Sequence, residues 1–167
     1  MRKMTEKNLN EAFAGESQAH MKYAIFAEKA EEEGFRNVAR LFRAISYAEL
    51  VHATNHLRAL GLIRNSAENL QAAIDGETYE VEEMYPAFGA VAELQNEKGA
   101  QQSINFALQA EKVHAGMYQI AKQAVKRGTD IKIGTVYICK KCGYTVEGEA
   151  PERCPVCGAP AAEFRGF

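Results

Sequence analysis

Two stretches of the chain read almost alike: YAELVHA at Tyr47 to Ala53 and QAEKVHA at Gln109 to Ala115. Each sets a glutamate three residues before a histidine among Ala, Val and Leu. On a helix that spacing projects the carboxylate and the imidazole from one face. Glu16, Glu49 and Glu111 stand where apolar residues would complete a core-facing stripe, and Lys and Arg are nearly absent from the same stripes. A carboxylate in such a place needs a proton, a cationic partner or a metal ion. Two helices bearing Glu-x-x-His, with one further Glu from each of two others, offer four carboxylates and two imidazoles around a common centre. That set suits a pair of Fe, Mn or Zn ions.

A second constellation lies within the last 29 residues, where all four cysteines fall. CKKCGY at Cys139 to Tyr144 and CPVCGA at Cys154 to Ala159 are two knuckles of equal internal spacing, eleven residues apart. Cys139, Cys142, Cys154 and Cys157 can close a tetrahedral thiolate site for Fe or Zn. The knuckle pattern favours metal over disulfides, and a fold of about 30 residues depends on its metal for stability.

The elements that must carry these groups are mostly helices. From Thr5 to about Arg127 apolar residues recur at three- and four-residue steps. The first stripe runs through Leu9, Phe13, Glu16, His20, Tyr23 and Phe26 and stops near Gly34. The second runs through Val38, Leu41, Ile45, Glu49, His52 and His56 to Gly61. A loop containing RNSAEN and DG is expected next, with a third helix from about Glu77 through Glu80, Tyr85 and Phe88, bent or loosened at Pro86. The fourth carries Ile104, Leu108, Glu111, His114 and Tyr118 and ends at Gly128. Alternation, Gly and Pro then replace the helical period, so a linker is expected over residues 128–134 and a β-rich module over 135–167.

The helical part repeats itself. At an offset of 62 residues Tyr23 meets Tyr85, Phe26 meets Phe88, Glu49 meets Glu111 and His52 meets His114. Upstream, GES at Gly15 meets GET at Gly76 only at an offset of 61, which pairs Glu16 with Glu77. The second copy thus carries one extra residue between its glutamate and its tyrosine, and a π-bulge would absorb it. Glu77 is supported by the repeat, Glu80 only by its spacing on the same helix face, and Glu82 and Glu83 read as solvated acids. Tyr23 and Tyr85 lie on the ligand-bearing stripes, where a phenol can hydrogen-bond a carboxylate. His20 and His56 have no counterpart in the repeat.

Composition narrows the function. The 167 residues are 47% hydrophobic and 25% charged with a net charge of −2, leaving no basic excess for nucleic acid. The N-terminus lacks the apolar run of a signal peptide, no segment approaches the length of a membrane span, and a cytoplasmic location is expected. No H-E-x-x-H is present, which argues against a zinc peptidase.

Taken together, FAGESQAHMKY, AELVHA, GETYEVEEMYP, AEKVHA, YICKKCGY and CPVCGAP resemble the rubrerythrin family over essentially the whole chain. The resemblance implies a mainly α protein: a ferritin-like four-helix bundle over residues 1–130 holding a di-iron centre, then a small β-rich rubredoxin-like domain over 135–167 holding one iron. It implies a peroxidase that reduces hydrogen peroxide to water with electrons entering through the four-cysteine iron. Residue by residue, Glu49 and Glu111 become bridging ligands, and His114, Glu16 and Glu77 ligands of single irons. Glu80 and His52 become the pair between which one iron moves on going from the oxidised to the reduced state. Tyr23 and Tyr85 resemble the tyrosines beside the family's irons.

The implied partners are a small electron-transfer protein such as rubredoxin and an NAD(P)H-dependent reductase. The implied assembly is a homodimer or higher oligomer, with exchange of a hairpin between subunits left open. Because a helix of about 27 residues spans ~40 Å, the tail is expected to serve a neighbour's di-iron site rather than its own. Two other functions remain open on the residues: a ferritin-type ferroxidase or iron-handling protein, and a structural protein with a zinc-ribbon tail.

Overall fold

The computed structural model describes residues 1–167. Its packing falls into two compact units, residues 1–64 and 65–167.

The first unit is a helical hairpin, α1 (Lys3–Glu32) and α2 (Arg36–Ala59). Ala27 and Ala30 on α1 and Ala39, Ser46 and Ala53 on α2 are buried, and such small side chains let two backbones approach closely. Between the helices Gly34 adopts φ 85°, and the Phe35 amide closes back on the Ala30 carbonyl at 2.8 Å. This closure requires a left-handed residue, which glycine supplies without steric cost. Its repeat counterpart 62 residues on is Asn96, the one non-glycine residue at positive φ (57°), with the Glu97 amide bonded to the Ala92 carbonyl at 2.9 Å. Asparagine tolerates that conformation better than other side chains.

The second unit begins with α3 (Ser66–Tyr79), continues through a π-helical turn over Glu80–Met84 into α4 (Tyr85–Leu94), and returns along α5 (Lys98–Lys126). One expectation is corrected here. The third helix starts at Ser66, not near Glu77: the Asn65 side chain accepts from the Glu68 amide at 3.0 Å and caps it. The Asp75-Gly76 pair, which reads as a turn, is carried inside the helix. Pro86 does not end the rod: it follows the π turn as the second residue of α4, where the widened ladder makes no demand on its missing N–H, and the loosened turn is the one expected at this proline. The π turn itself lies where the one-residue offset of the repeat placed it.

After residues 128–134 the chain forms a three-stranded antiparallel sheet of β1 (Val136–Cys139), β2 (Thr145–Glu147) and β3 (Phe164–Gly166) in the order β2-β1-β3. Its small core is Cys139, Cys142, Cys154 and Ala159, packed against Tyr144, Val156, Phe164 and, from α5, Phe106. The module therefore folds back onto α5 of its own chain. The expectation that it stands far from its own chain's ligands is corrected: the 128–134 linker reverses direction, and Gly143, with φ 80°, brings the backbone to Ala110 Cβ.

Candidate metal centres

Three groups of ligand atoms converge, each within a single unit: Glu16, Glu49 and His52; Glu77, Glu111 and His114; and the four cysteines. Within each group the donor atoms lie within 4.8 Å of one another.

In the first unit, one helical turn brings His52 Nδ1 to 2.9 Å from Glu49 Oε2, and α1 adds Glu16 Oε1 at 3.8 Å. Hydrogen bonds from Glu16 and then His52 hold Glu49 below its ordinary pKa against the opposing effect of burial. In the second unit the same turn on α5 brings His114 Nδ1 to 2.6 Å from Glu111 Oε2, and α3 adds Glu77 Oε1 at 4.0 Å. Burial, then a hydrogen bond with Glu111, then the charges of Glu111 and Glu80 push Glu77 up to about 8. Two donors each about 2.1 Å from one metal at right angles lie about 3 Å apart. The Glu–His spacings match that requirement in both units.

Glu80 stands outside the two triads, at the first residue of the π turn. Burial and Glu111 raise its pKa while His114 opposes them, so it shares their electrostatic neighbourhood. Tyr85, at the far end of the turn, is likewise raised by burial and then by Glu80, Glu111 and Glu77. Tyr23 packs in an aromatic cluster with Phe26 and Phe42, ring centroids at 6.4 and 6.1 Å. His20 holds the hairpin together: its Nδ1–H points to the Ser46 carbonyl at 2.8 Å, and the Ser46 hydroxyl donates to the His20 carbonyl at 2.9 Å.

The two cysteine knuckles have the same backbone. Gly143 N–H bonds the Cys139 carbonyl at 2.8 Å and Gly158 N–H bonds the Cys154 carbonyl at 2.9 Å, with both glycines at positive φ. All four cysteines are free. Cys139 and Cys157 sulfurs lie 3.6 Å apart, and those of Cys142 and Cys154 3.5 Å. These separations are too long for disulfides and close to the ~3.8 Å edge of a tetrahedron of thiolates around one ion. Burial raises Cys142, whereas at Cys154 the opposing burial is outweighed by the Cys157 and Val156 amides and neighbouring thiols, which bring it to about 7. A thiol titrating near neutrality gives up its proton readily to a metal.

One contact had no signal in the sequence. His114 Nε2 lies 2.7 Å from Thr145 Oγ1 on β2. The partners are 31 residues apart in modules of different composition, and no motif includes the threonine.

The helical ligand groups and the four-thiolate knuckles define a class of protein, one with a ferritin-like di-iron site and a rubredoxin-like metal site. Comparisons agree: residues 7–122 match the family model Rubrerythrin, and residues 137–165 the model of the rubrerythrin rubredoxin-like domain. The chain is 42% identical to Rubrerythrin-2 of Clostridium acetobutylicum, over 98% of this chain and 97% of that protein. It is 34% identical to nigerythrin of Nitratidesulfovibrio vulgaris, over 98% and 86%. The solved mixed-valent state of nigerythrin superposes with a TM-score of 0.57 at 33% identity, covering 98% of this chain and 86% of that one. This chain belongs to the rubrerythrin family, whose members are oxidoreductases of oxidative-stress defence. No helix is long and apolar enough to cross a membrane.

Proposed function

We propose that the chain is a non-haem di-iron peroxidase that reduces hydrogen peroxide to two waters, consuming two electrons and two protons. The observation that carries this reading is the seating of the four-cysteine module on α5, with Phe106 against its core and Gly143 against Ala110, beside Glu111 and His114. Iron storage has little need of an electron inlet at its ligands, and a zinc ribbon that only ties down a tail leaves the Glu and His groups without a purpose. When bound, a di-iron pair supplies two electrons to the peroxide bond together, so that no hydroxyl radical need be released.

Glu16, Glu49, His52, Glu77, Glu80, Glu111 and His114 would hold the two ions, with Glu49 and Glu111 shared between them. Glu80 and His52 would be alternative holders of one iron, the harder carboxylate suiting a ferric and the imidazole a ferrous ion. Tyr23 and Tyr85 hydrogen-bond groups at the centre, and Tyr85, kept protonated among carboxylates, is a donor. Cys139, Cys142, Cys154 and Cys157 would hold the iron that delivers electrons. On this reading residues 1–130 are the peroxidase body and 135–167 the inlet.

Electrons come from NAD(P)H through a reductase and a small carrier such as rubredoxin, in the cytoplasm. The working form is a homodimer or higher oligomer, consistent with the exposed apolar residues Phe26, Leu41, Ile45, Phe88 and Val91, which need cover.

The test is to mix anaerobically reduced protein with hydrogen peroxide in stopped flow and to assay its metals. Rapid growth of ferric-thiolate and diferric bands, with about three irons per chain, is expected. A protein inert to peroxide but quickly oxidised by dioxygen, or one with zinc in the tail, would instead be a ferroxidase or a structural protein.

A further inference from the structure

We infer that Thr145 is the positioning residue of His114, so that seating of the four-cysteine module and completion of the Glu77–Glu111–His114 ligand group are one event. The inference rests on the proposed reading of His114 as a metal ligand and adds which ring nitrogen ligates and what holds it there. Thr145 is 3% exposed. Its single hydroxyl proton goes to the Gly143 carbonyl at 3.1 Å, so the 2.7 Å contact with His114 has the oxygen accepting from the ring Nε2–H. That leaves Nδ1 for the metal, on the side where Glu111 and Glu77 lie at 2.6 and 4.0 Å.

Metal-ligating histidines characteristically donate their other N–H to a fixed acceptor, which sets tautomer and ring orientation. Here the acceptor belongs to the module, three residues after Cys142, and it is anchored by the β-ladder pair Ile138–Thr145. Valine would fill the same volume on β2 and suit a strand equally well, so the hydroxyl is the part that packing alone does not require. His52, the counterpart of His114 in the repeat, is 53% exposed. The asymmetry leaves His52 free to engage or release an ion, while His114 is held.

The experiment uses the full-length protein with ¹⁵N-labelled histidine, loaded with zinc, which is diamagnetic. Two-bond ¹H–¹⁵N spectra should show His114 with Nδ1 on zinc and an Nε2 proton in slow exchange with water. Thr145→Val should bring that proton into fast exchange and weaken zinc binding at the Glu/His sites about tenfold or more, with tail metal retained. Thr145→Ser should stay within about threefold of wild type. A Thr145→Val protein with a slowly exchanging Nε2 proton and unchanged affinity overturns the inference. So does zinc on Nε2 in the wild type, a result that needs no variant and leaves His114 a ligand. A His114 with neither nitrogen on zinc at saturation overturns the ligand reading itself and the inference with it.

Discussion

Glu77 and Glu111 share a hydrogen bond across α3 and α5 of the second unit, and with burial this holds a proton on Glu77 up to about pH 8. Its ordinary pKa is 4.5. Between these values the folded, metal-free protein keeps a proton that the unfolded chain has lost, so stability must fall as pH rises through this window. The contribution is fully present below the lower value and gone above the upper one. Urea midpoints of metal-free protein between about pH 5 and pH 8 should decline more steeply for wild type than for Glu77→Gln. Equal slopes would show that Glu77 titrates normally.

Removal of either carboxylate proposed to be shared between the two ions should empty the helical site and spare the tail. Glu49→Ala and Glu111→Ala are each expected to drop iron from about three to about one per chain, with the ferric-thiolate absorption intact. Retention of all the iron would exclude these residues as ligands.

The tail should fail in the opposite way. Cys142→Ser removes one of four thiolates from a module whose core is largely those cysteines, and a fold of that size loses order without its metal. Circular dichroism should keep most of its helical signal. A single peroxide turnover by pre-reduced protein should survive, while steady turnover with an external donor falls by about 100-fold or more. Undiminished steady turnover would mean that electrons bypass the module.

The π turn can be tested by shortening it. Deleting exposed Glu83 would restore an ordinary helix and rotate Tyr85 by about 100° relative to Glu77. Helix content should persist while metal bound at the Glu/His sites falls about tenfold. Undisturbed binding in a titration would mean that the extra residue has no part in arranging the site.

His20 is expected to be structural. Ser46→Ala removes the buried hydroxyl that donates to the His20 carbonyl and should cost about 1–3 kcal/mol in denaturant unfolding, with metal content unchanged. A loss of metal larger than the loss of stability would instead bring His20 into the site.

The candidate ligand groups were legible in the chain because their geometry is local. A Glu-x-x-His pair and a Cys-x-x-Cys knuckle set their own donor distances through one helical turn or one tight loop, whatever lies elsewhere. The π turn was legible for a related reason: an offset that changes from 62 to 61 between two copies must be absorbed somewhere between Glu77 and Tyr85. The start of α3 was misread because Asp-Gly is a turn signal that a capped helix can override, and Asn65 supplies the cap. Glu80 and Tyr85 have no ligand motif of their own beyond helix-face spacing and the repeat; burial and neighbouring charge distinguish them from the acids around them once the chain is folded. The contact of Thr145 with His114 belongs wholly to tertiary structure. It depends on the course of the 128–134 linker and on the close approach of Gly143 to Ala110, and no local pattern encodes which helix face a module will meet after the chain reverses. Residue type and helical period therefore determined which atoms can bind metal, and packing decided which imidazole is held and which is left free.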